Sequence, residues 1–191
     1  MKFFATAFAA LVLFVNAGKK PSVIKVDPAK SSITWTGKKV TGEHSGTIAV
    51  KEGQLLVDGG KLVGGNFTVD MTSLKVTDVK DEKMNGKLVG HLTSDDFFGT
   101  SANPTSTLTI TKVTPKGGID YEITGNLSIK GKTNPITFPA TYDAKTGVGT
   151  AKVVIDRSKY DIKYGSKSFF DNLGDKAIYD EFELDVKLAT K

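Results

Sequence analysis

The stretch from residue 120 to residue 156, DYEITGNLSIKGKTNPITFPATYDAKTGVGTAKVVID, decides the fold. It contains three segments in which apolar and polar residues alternate, as they do in strands with one buried face. Two short glycine-containing turns, Lys130–Lys132 and Lys145–Gly147, separate these segments. Because such turns join neighbouring strands into hairpins, the stretch predicts three consecutive antiparallel strands.

The same alternation continues towards both ends of the chain. Five further alternating segments cover residues 33–36, 47–50, 63–71, 107–111 and 182–188. Around eight strands in hairpin order, without a long helical pattern, predict an all-β antiparallel meander that stacks as a sandwich or closes on itself. The longest segments span nine to eleven residues, and this length favours a closed barrel, which also removes exposed edges.

In the segment 63–71, the inner face carries Val63, Gly65, Phe67, Val69 and Met71 if the alternation is unbroken. Small residues recur on this face and on the equivalent faces of later strands. They are Gly65, Gly125, Ala140 and Ala151. Small side chains leave space inside a barrel, so this pattern favours a cavity over a completely filled core.

Two stretches interrupt the alternation. Residues 75–99 are interpreted as a charged linker followed by a short helix. Ser94 is predicted to cap that helix, with Asp95 and Asp96 in its first turn, where the helix dipole favours negative charge. Residues 157–181 are predicted to be irregular, and the whole pattern is that of one domain.

The N-terminus is typical of a secretory signal peptide. Lys2 precedes an apolar run, Phe3–Val15, that only Thr6 interrupts, and small residues lead to Ala17. Thirteen residues are fewer than the ~20 needed to span a membrane as a helix. The predicted organisation is a signal peptide at 1–17, an N-terminal extension at 18–24 and a barrel domain at 25–189. Export fits a bacterial periplasm, with secretion beyond it as the alternative.

Composition excludes several classes of function. The chain has 191 residues and no Cys, which removes disulfides, thiolate metal sites and Cys nucleophiles. Its 26 Lys and Arg outnumber 21 Asp and Glu, but the lysines are spread along the chain. No basic block is interleaved with aromatic residues, so we expect no nucleic-acid partner.

No set of residues has the spacing of a catalytic or cofactor site. His44 and His91 lie outside any HxH or HExxH pattern, although a two-His metal site in space stays open. Asp95 and Asp96 are adjacent, so on a helix they point about 100° apart and do not form an acid–base pair. We therefore expect no catalytic residues, no metal and no cofactor.

Arg157 and Trp35 are each the only residue of their kind. A sole Arg among lysines suggests bidentate pairing or stacking on an aromatic face, which Lys cannot reproduce. One hypothesis is that Arg157 binds an anionic or carbonyl head group, or stacks on Trp35 to close one end of the barrel. The alternative is a local ion pair with Asp156 or Asp161.

Several segments resemble the YceI-like, polyisoprenoid-binding family. They are HLTSDDFFGTSANPTSTLTITKV at 91–113, GNLSIKGKTNPITFPATY at 125–142, IDRSKYDIKYGS at 155–166 and LGDKAIYDEFELDVKL at 173–188. This resemblance spans about residues 25–189 and implies an eight-stranded, lipocalin-like antiparallel barrel with a short helix. The first strand differs: many relatives have a His soon after its aromatic residue, whereas in WTGKKVTGEHSG, at 35–46, His44 follows the turn.

What the resemblance implies is an exported protein that holds a long isoprenoid chain, a quinone or another lipid inside the barrel. The predicted ligand-binding residues are Ile33, Trp35, Ile48, Phe67, Val69, Leu108, Ile110, Tyr121, Ile123, Leu127, Phe138, Tyr142, Val153, Ile155 and Arg157. A carrier of this kind would contact a membrane only to exchange its ligand, and a homodimer is also possible. Two alternatives stay open. One is an enzyme that modifies such a lipid with His44, His91 or Asp96, and the other is a stress-related interaction protein that uses the barrel as a scaffold.

Overall fold

The computed structural model describes residues 20–191, and nine strands and one α-helix lie within that range. The predicted signal peptide, residues 1–17, lies outside the described residues. The strands are β1 Ser22–Lys25, β2 Ser32–Lys39, β3 Gly42–Asp58, β4 Lys61–Val76, β5 Thr105–Gly117, β6 Asp120–Ile129, β7 Lys132–Asp143, β8 Val148–Asp156 and β9 Ile178–Ala189. The α-helix, α1, is Glu82–Thr93, and short 3₁₀ turns occupy Pro28–Lys30, Arg157–Tyr160 and Gly174–Lys176.

Strands β2–β9 form a closed antiparallel barrel. The sheet order is β1-β3-β2-β9-β8-β7-β6-β5-β4, and β3 pairs with β4 as well, which closes the ring of eight strands. The short strand β1 pairs with the last part of β3, from Ser22 opposite Val57 to Lys25 opposite Gln54, beyond the part that β2 covers. The predicted fold class, an eight-stranded lipocalin-like barrel with a short helix, is confirmed.

The hairpin turns have the backbone conformation that their sequences predict. Gly59 and Gly60 between β3 and β4 have φ values of +54° and +79°. Two consecutive positive φ angles are those of a type I′ turn, whose twist matches that of the strands on either side. Lys130 and Gly131, between β6 and β7, have the same pattern at +48° and +71°. These turns determine which strands are neighbours.

Val63 was predicted to lie on the inner face of its strand, and a β-bulge at this residue makes that prediction wrong. Leu56 pairs with Gly64, but Val57 pairs with Leu62, so Val63 has no partner in the ladder. The extra residue shifts the alternation by one position. As a result, Leu62 points inward and is buried, whereas the side chain of Val63 is 45% exposed.

Two of the small residues do not create the space that the sequence suggested. A Cβ atom on Gly65 would lie 2.6 Å from the carbonyl oxygen of Gln54, and one on Gly125 would lie 2.7 Å from that of Thr109. These glycines are therefore required for close approach of adjacent strands, and the expectation that they leave a cavity is wrong.

The helix lies before Ser94, so the predicted position was wrong. The Asp81 side chain accepts a hydrogen bond from the Met84 N–H at 2.8 Å and caps the N-terminus of α1. Ser94 is at the other end, where its hydroxyl donates to the carbonyl oxygen of His91 at 2.7 Å. Asp81 is as good a capping residue as Ser94, and only the packing of the helix selects between them. Within residues 20–191, no helix is both long and apolar enough to cross a membrane.

Candidate ligand-binding cavity

The barrel interior contains two adjoining cavities. The mouth cavity, of about 180 Å³, is lined by the β2–β3 hairpin, α1 and the first half of β9. The deep cavity, of about 130 Å³, is lined mainly by β5–β9. The two cavities share the lining residues Ile33, Val69, Ser106, Leu127, Ile155 and Leu184. Each is close in size to a ~150 Å³ apolar cavity that holds benzene, so together they offer room for a larger molecule.

The combined cavity extends along most of the barrel. On β9 alone, lining residues run from Ile178 to Leu188. Ten residues at ~3.3 Å each, on a strand tilted by ~40°, correspond to about 25 Å along the barrel axis. This shape fits a long, narrow molecule better than a compact one.

The structure brings together fourteen of the fifteen predicted ligand-binding residues. The mouth cavity is lined by Trp35, Ile48 and Arg157, the deep cavity by Phe67, Leu108, Ile110, Ile123, Phe138, Tyr142 and Val153, and both by Ile33, Val69, Leu127 and Ile155. The exception is Tyr121, which lines neither cavity. Its hydroxyl accepts a hydrogen bond from the Leu62 N–H at 3.3 Å, and its ring packs in the core. Contact between the other fourteen and a ligand stays a prediction.

Charge is distributed unequally between the two cavities. The charged and histidine side chains that line them are Lys38, Lys39, His44, His91, Arg157 and Glu181, and all six belong to the mouth cavity. The residues that line the deep cavity carry no charge. The surface that both cavities present is nearly all apolar, so the interior favours an apolar molecule.

Arg157 is a structural residue of the barrel wall. Its side chain is 2% exposed and donates hydrogen bonds to four backbone carbonyls. The acceptors, at 2.8–3.1 Å, are the carbonyl oxygens of Ile162, Tyr164, Ile178 and Tyr179. Its fifth N–H is on Nη2, which lies 3.4 Å from Oδ1 of Asp180. Four of the five N–H groups of the guanidinium are therefore bonded to the barrel wall, and the contact with Asp180 is an ion pair without a hydrogen bond.

Two of the three hypotheses about Arg157 are wrong. Its guanidinium carbon lies 5.4 Å from the centroid of the Phe97 ring, so its aromatic neighbour is Phe97 and not Trp35. Its ion-pair partner is Asp180, and not Asp156 or Asp161. Burial lowers the pKa of Arg157, and the nearby carboxylates of Asp180 and Asp156 oppose that shift. Arg157 lines the mouth cavity, and its contact with a head group stays a prediction.

Trp35 forms part of the cavity wall and connects three strands. Its Nε1 donates to the carbonyl oxygen of Lys75 on β4 at 3.1 Å, across the intervening strand β3. Gly46, which faces Trp35 on β3, makes this possible. A Cβ atom on Gly46 would collide with both the Trp35 ring and the Lys75 carbonyl. The indole N–H is therefore already paired.

His44 and His91 both line the mouth cavity, although they are far apart in sequence. His44 pairs with Gly37 across the β2–β3 hairpin, and its Nδ1 lies 2.8 Å from Oδ2 of Asp78. Within residues 20–191, no three His, Asp or Glu side chains are grouped closely enough to hold a metal ion. Asp96, the third residue of the enzyme hypothesis, is exposed and lies outside the cavity lining.

Sequence reasoning missed the lining contributed by α1, the turn after it and β9. These residues are Leu88, Leu92, Phe97, Phe98, Ile178, Phe182 and Leu184. The spacing of Leu88 and Leu92 is that of one helix face, and the alternation of β9 was visible in the sequence. Both signals were available, but neither indicates that the residues face a cavity and not a filled core.

An antiparallel barrel around two adjoining apolar cavities defines this chain as a lipocalin-like barrel with internal space. Residues 24–190 match the family described as YceI-like domain. The chain therefore belongs to the YceI-like family, and the resemblance stated above is confirmed.

Known relatives agree with this assignment. A UPF0312 protein of Shewanella denitrificans is 34% identical over 89 residues, which cover 47% of this chain and 44% of that protein. Protein YceI of Escherichia coli O17:K52:H18 is 37% identical over 75 residues, or 39% of this chain and 35% of that protein. These matches span less than half the length of the curated relatives.

Solved structures share the fold. BcnA of Burkholderia cenocepacia is 25% identical, with a TM-score of 0.65 over 85% of this chain and 98% of BcnA. A polyisoprenoid binding domain from Saccharophagus degradans superposes with a TM-score of 0.59 over 88% of this chain and 97% of that domain. At 14% identity, the second comparison supports the fold alone.

Proposed function

We propose that this protein binds a long-chain lipid, an isoprenoid or a similar amphiphile, with its tail inside the barrel. The observation that carries the proposal is a pair of adjoining apolar cavities that share six lining residues and whose charged lining residues all belong to the mouth cavity. Each buried CH₂ group contributes ~0.8 kcal/mol, so a long tail binds tightly with few polar contacts. In this proposal the protein transports, stores or sequesters the lipid and performs no chemistry on it.

Membership of the YceI-like family supports the same class of ligand, a long-chain lipid. The Saccharophagus degradans domain with this fold is described as polyisoprenoid binding. The proposal extends that property to this chain because the cavity is both elongated and apolar. A filled barrel of the same topology would not support it.

Organic extraction of the natively purified protein, followed by mass spectrometry, tests the proposal. We expect a co-purifying lipid with a long alkyl or isoprenoid chain at a fixed stoichiometry. An empty barrel without affinity for long-chain quinones, polyprenols or fatty acids would disprove it.

A matched pair of variants on β8 localises the binding. Ala151 lines the deep cavity, so Ala151→Phe fills the space for the tail. Val154 is on the same strand but faces outward, with its side chain 48% exposed, so Val154→Phe is the control. We expect the first variant to lose most of the bound lipid and the second to retain it. Equal lipid content in both variants would place the ligand elsewhere.

We also propose that the protein is exported to the periplasm of a bacterium. The basis is the sequence of residues 1–17, with its single Lys, apolar run and small residues before Ala17. Expression of the full chain followed by cell fractionation and intact mass measurement tests this. We expect periplasmic protein whose N-terminus is Gly18, whereas uncleaved cytoplasmic protein would contradict it.

Ligand exchange with a membrane would take place at the mouth rim. We give this name to five exposed apolar residues around the mouth cavity, Val40, Tyr164, Phe169, Phe170 and Tyr179. The Val40 N–H donates to the carbonyl oxygen of Ala177, just before β9, and the Tyr164 ring centroid lies 4.2 Å from that of His91. Exposed aromatic rings are suited to the interface between headgroups and acyl chains.

Lysines accompany these aromatic residues. Lys163 Nζ lies 5.3 Å from the centroid of the Phe169 ring, and Lys167 and Lys176 are exposed in the same segment. Basic residues beside apolar ones are attracted to anionic lipid surfaces. Asp161, Asp171 and Asp175 balance these lysines, and Lys163 is paired with Asp161 at 2.8 Å, so the exposed aromatic rings are the feature that favours membrane contact.

A further inference from the structure

The mouth cavity and the deep cavity meet at six residues that line both of them. Each of the six belongs to a different strand of the barrel, so together they form a belt around the lumen. In the strands β2, β4, β5, β6, β8 and β9, the belt residues are Ile33, Val69, Ser106, Leu127, Ile155 and Leu184. A tail that enters at the mouth passes these side chains before it reaches the deep cavity. The belt therefore limits how much of the lumen one tail occupies.

Ser106 is the smallest residue of the belt and the only polar one, because the other five are Val, Leu or Ile. Its side chain is buried, and its hydroxyl donates to the carbonyl oxygen of Ser128 at 2.7 Å. Ser128 is on the neighbouring strand β6, so this hydrogen bond turns the hydroxyl towards the barrel wall. The polar atom is satisfied there, and the short side chain leaves space on its lumen side.

The second smallest belt residue, Val69, is adjacent to Ser106. The two are directly opposite each other in the ladder between β4 and β5. The larger belt residue Leu184 is on β9, four strands away from β5 in the closed ring of eight. The belt is therefore least filled where β4 meets β5, which predicts the widest connection between the two cavities at that point.

The belt divides the lumen into two parts of unequal length. On β9, the mouth part runs from Ile178 to Leu184, which corresponds to about 15 Å along the barrel axis at ~3.3 Å per residue and a tilt of ~40°. The deep part continues from Leu184 to Leu188 and adds about 10 Å on the same basis. An extended chain of dodecanoate is about as long as the mouth part, and one of eicosanoate is about as long as the whole lumen.

We propose that position 106 sets the chain length that the protein binds in full, because the space beside Ser106 lets a tail extend from the mouth cavity into the deep cavity. This inference rests on the proposed function and adds chain length as the property by which the protein selects its ligand. Each methylene group that passes the belt moves from water to an apolar wall, which raises affinity by up to about fourfold. A larger side chain at position 106 would confine the tail to the mouth cavity.

Affinities of the unmodified protein for short and long chains test whether a tail passes the belt. Dodecanoate is compared with eicosanoate, and farnesol with geranylfarnesol, whose backbones have the same two lengths. Trp35 is the only Trp and lines the mouth cavity, so its fluorescence reports binding of both lengths. We expect the longer member of a pair to bind more tightly by about a hundredfold or more. Equal affinity within both pairs would show that no tail passes the belt.

Two substitutions at position 106 separate the size of the side chain from its hydrogen bond. Ser106→Leu adds bulk at the belt, whereas Ser106→Ala, the control, removes the hydroxyl and adds none. We expect Ser106→Leu to weaken binding of the long chains by about tenfold or more and to leave the short chains almost unchanged. Ser106→Ala should retain the affinity of the unmodified protein for both lengths. An unchanged affinity of Ser106→Leu for long chains, or an equal loss in both variants, would overturn the role of Ser106.

A measurement on the unmodified protein avoids any folding defect of Ser106→Leu. Nuclear Overhauser contacts are recorded from the ¹³C-labelled terminal methyl group of a bound long chain. We expect contacts with Tyr142 and Leu188, which line the deep cavity and not the mouth cavity. Contacts confined to Leu88 and Phe182, which line the mouth cavity alone, would contradict passage through the belt.

The outcomes distinguish a closed belt from a protein that binds no lipid. Equal binding of short and long chains would mean that the protein holds lipid in the mouth cavity alone, and lipid binding itself would stand. If none of the four chains binds the unmodified protein, the proposed function fails.

Discussion

Arg157 connects the end of β8 to the irregular segment before β9. Two of its carbonyl acceptors, Ile162 and Tyr164, are in that segment, and the other two are at the beginning of β9. A planar guanidinium reaches four carbonyls at once because its donors form a rigid fork, whereas an ammonium is a point charge with three donors. This geometry explains why position 157 carries an Arg in a chain whose other positively charged side chains are all Lys.

We expect Arg157→Lys to lower the free energy of unfolding by about 3 kcal/mol, because it leaves buried acceptors and Asp180 without their partner. Denaturant unfolding followed by circular dichroism measures this. Lys152→Arg is the control, since Lys152 is exposed and pairs with Glu183 at the barrel surface. A loss below about 1 kcal/mol for Arg157→Lys would mean that the carbonyls find other partners.

At the scale of elements, α1 is the least anchored part of the cavity wall. None of its residues is fully buried, although Leu88, His91 and Leu92 line the mouth cavity. Gly86 and Gly90 lie inside the helix, where each destabilises it by ~1 kcal/mol relative to Ala. This composition is suited to a helix that opens locally and admits a ligand.

The double substitution Gly86→Ala and Gly90→Ala should therefore stabilise α1 and slow ligand exchange. A Cβ atom at either position would have no described residue within 4 Å outside the helix, so no clash opposes the change. We expect a gain of up to ~1 kcal/mol per site and slower amide hydrogen exchange in α1. Unchanged ligand release from a more stable helix would indicate that the ligand enters by another route.

The connection between β4 and α1 is tied to β3 through Asp78. Its carboxylate pairs with His44 Nδ1 at 2.8 Å and accepts from the Ser45 N–H at 3.1 Å. Burial would raise the pKa of Asp78, but these hydrogen bonds outweigh it and hold the pKa below its usual value. A carboxyl whose pKa is lower when folded stabilises the fold above its unfolded pKa, and that stabilisation is lost as pH falls through the folded pKa.

We expect Asp78→Asn to lower the free energy of unfolding by about 1 kcal/mol at pH 7. The difference from the unmodified protein should begin to shrink as pH falls below about 4, the pKa of an unfolded Asp, and should disappear once pH has fallen through the lower pKa of folded Asp78. Urea unfolding at a series of pH values measures both effects. Glu52→Gln, which changes an exposed carboxyl on β3, should have little effect, and a constant difference at every pH for Asp78→Asn would contradict the assignment.

At the scale of the whole molecule, the mouth cavity and the mouth rim lie at the same end of the barrel. The segment that carries Phe169 and Phe170 is held against β9 by a hydrogen bond from Ser168 Oγ to Asp180 Oδ2 at 2.6 Å. Both Phe N–H groups donate to the carbonyl oxygen of Ser166. The exposed rings are thus presented by an ordered turn beside the cavity.

The double substitution Phe169→Ser and Phe170→Ser should slow lipid transfer to vesicles that contain anionic lipid, by about tenfold, because apolar contact with the bilayer is lost. Affinity for a soluble short-chain ligand should stay the same, since neither residue lines the cavities. Fluorescence transfer assays at low and high salt measure the rate. Val63→Ser, an exposed apolar residue on β4, is the control, and an equal effect of both variants would argue against the mouth rim.

Most of the fold and the identity of the lining strands could be predicted from the sequence. The alternation in residues 120–156 correctly indicated β6, β7 and β8 and their turns. The errors occurred where one residue changes the pattern, as at the bulge of Val63, or where two residues compete for one role, as Asp81 and Ser94 do for the helix cap. In both cases the local sequence is compatible with either arrangement, and packing decides.

The sequence by itself determined an antiparallel meander of around eight strands, because period-two alternation and glycine turns act between residues that are close along the chain. Strand length favoured closure of this meander, and the family resemblance implied the eight-stranded barrel. Only the tertiary structure decided which inner faces enclose a cavity and which buried polar atoms lack a hydrogen-bond partner. Arg157 finds its acceptors up to 22 residues away, and Trp35 finds its acceptor 40 residues away. Lys75 meets Trp35 only when β4 pairs with β3 and closes the barrel, whereas Arg157 meets its acceptors when β9 pairs with β8.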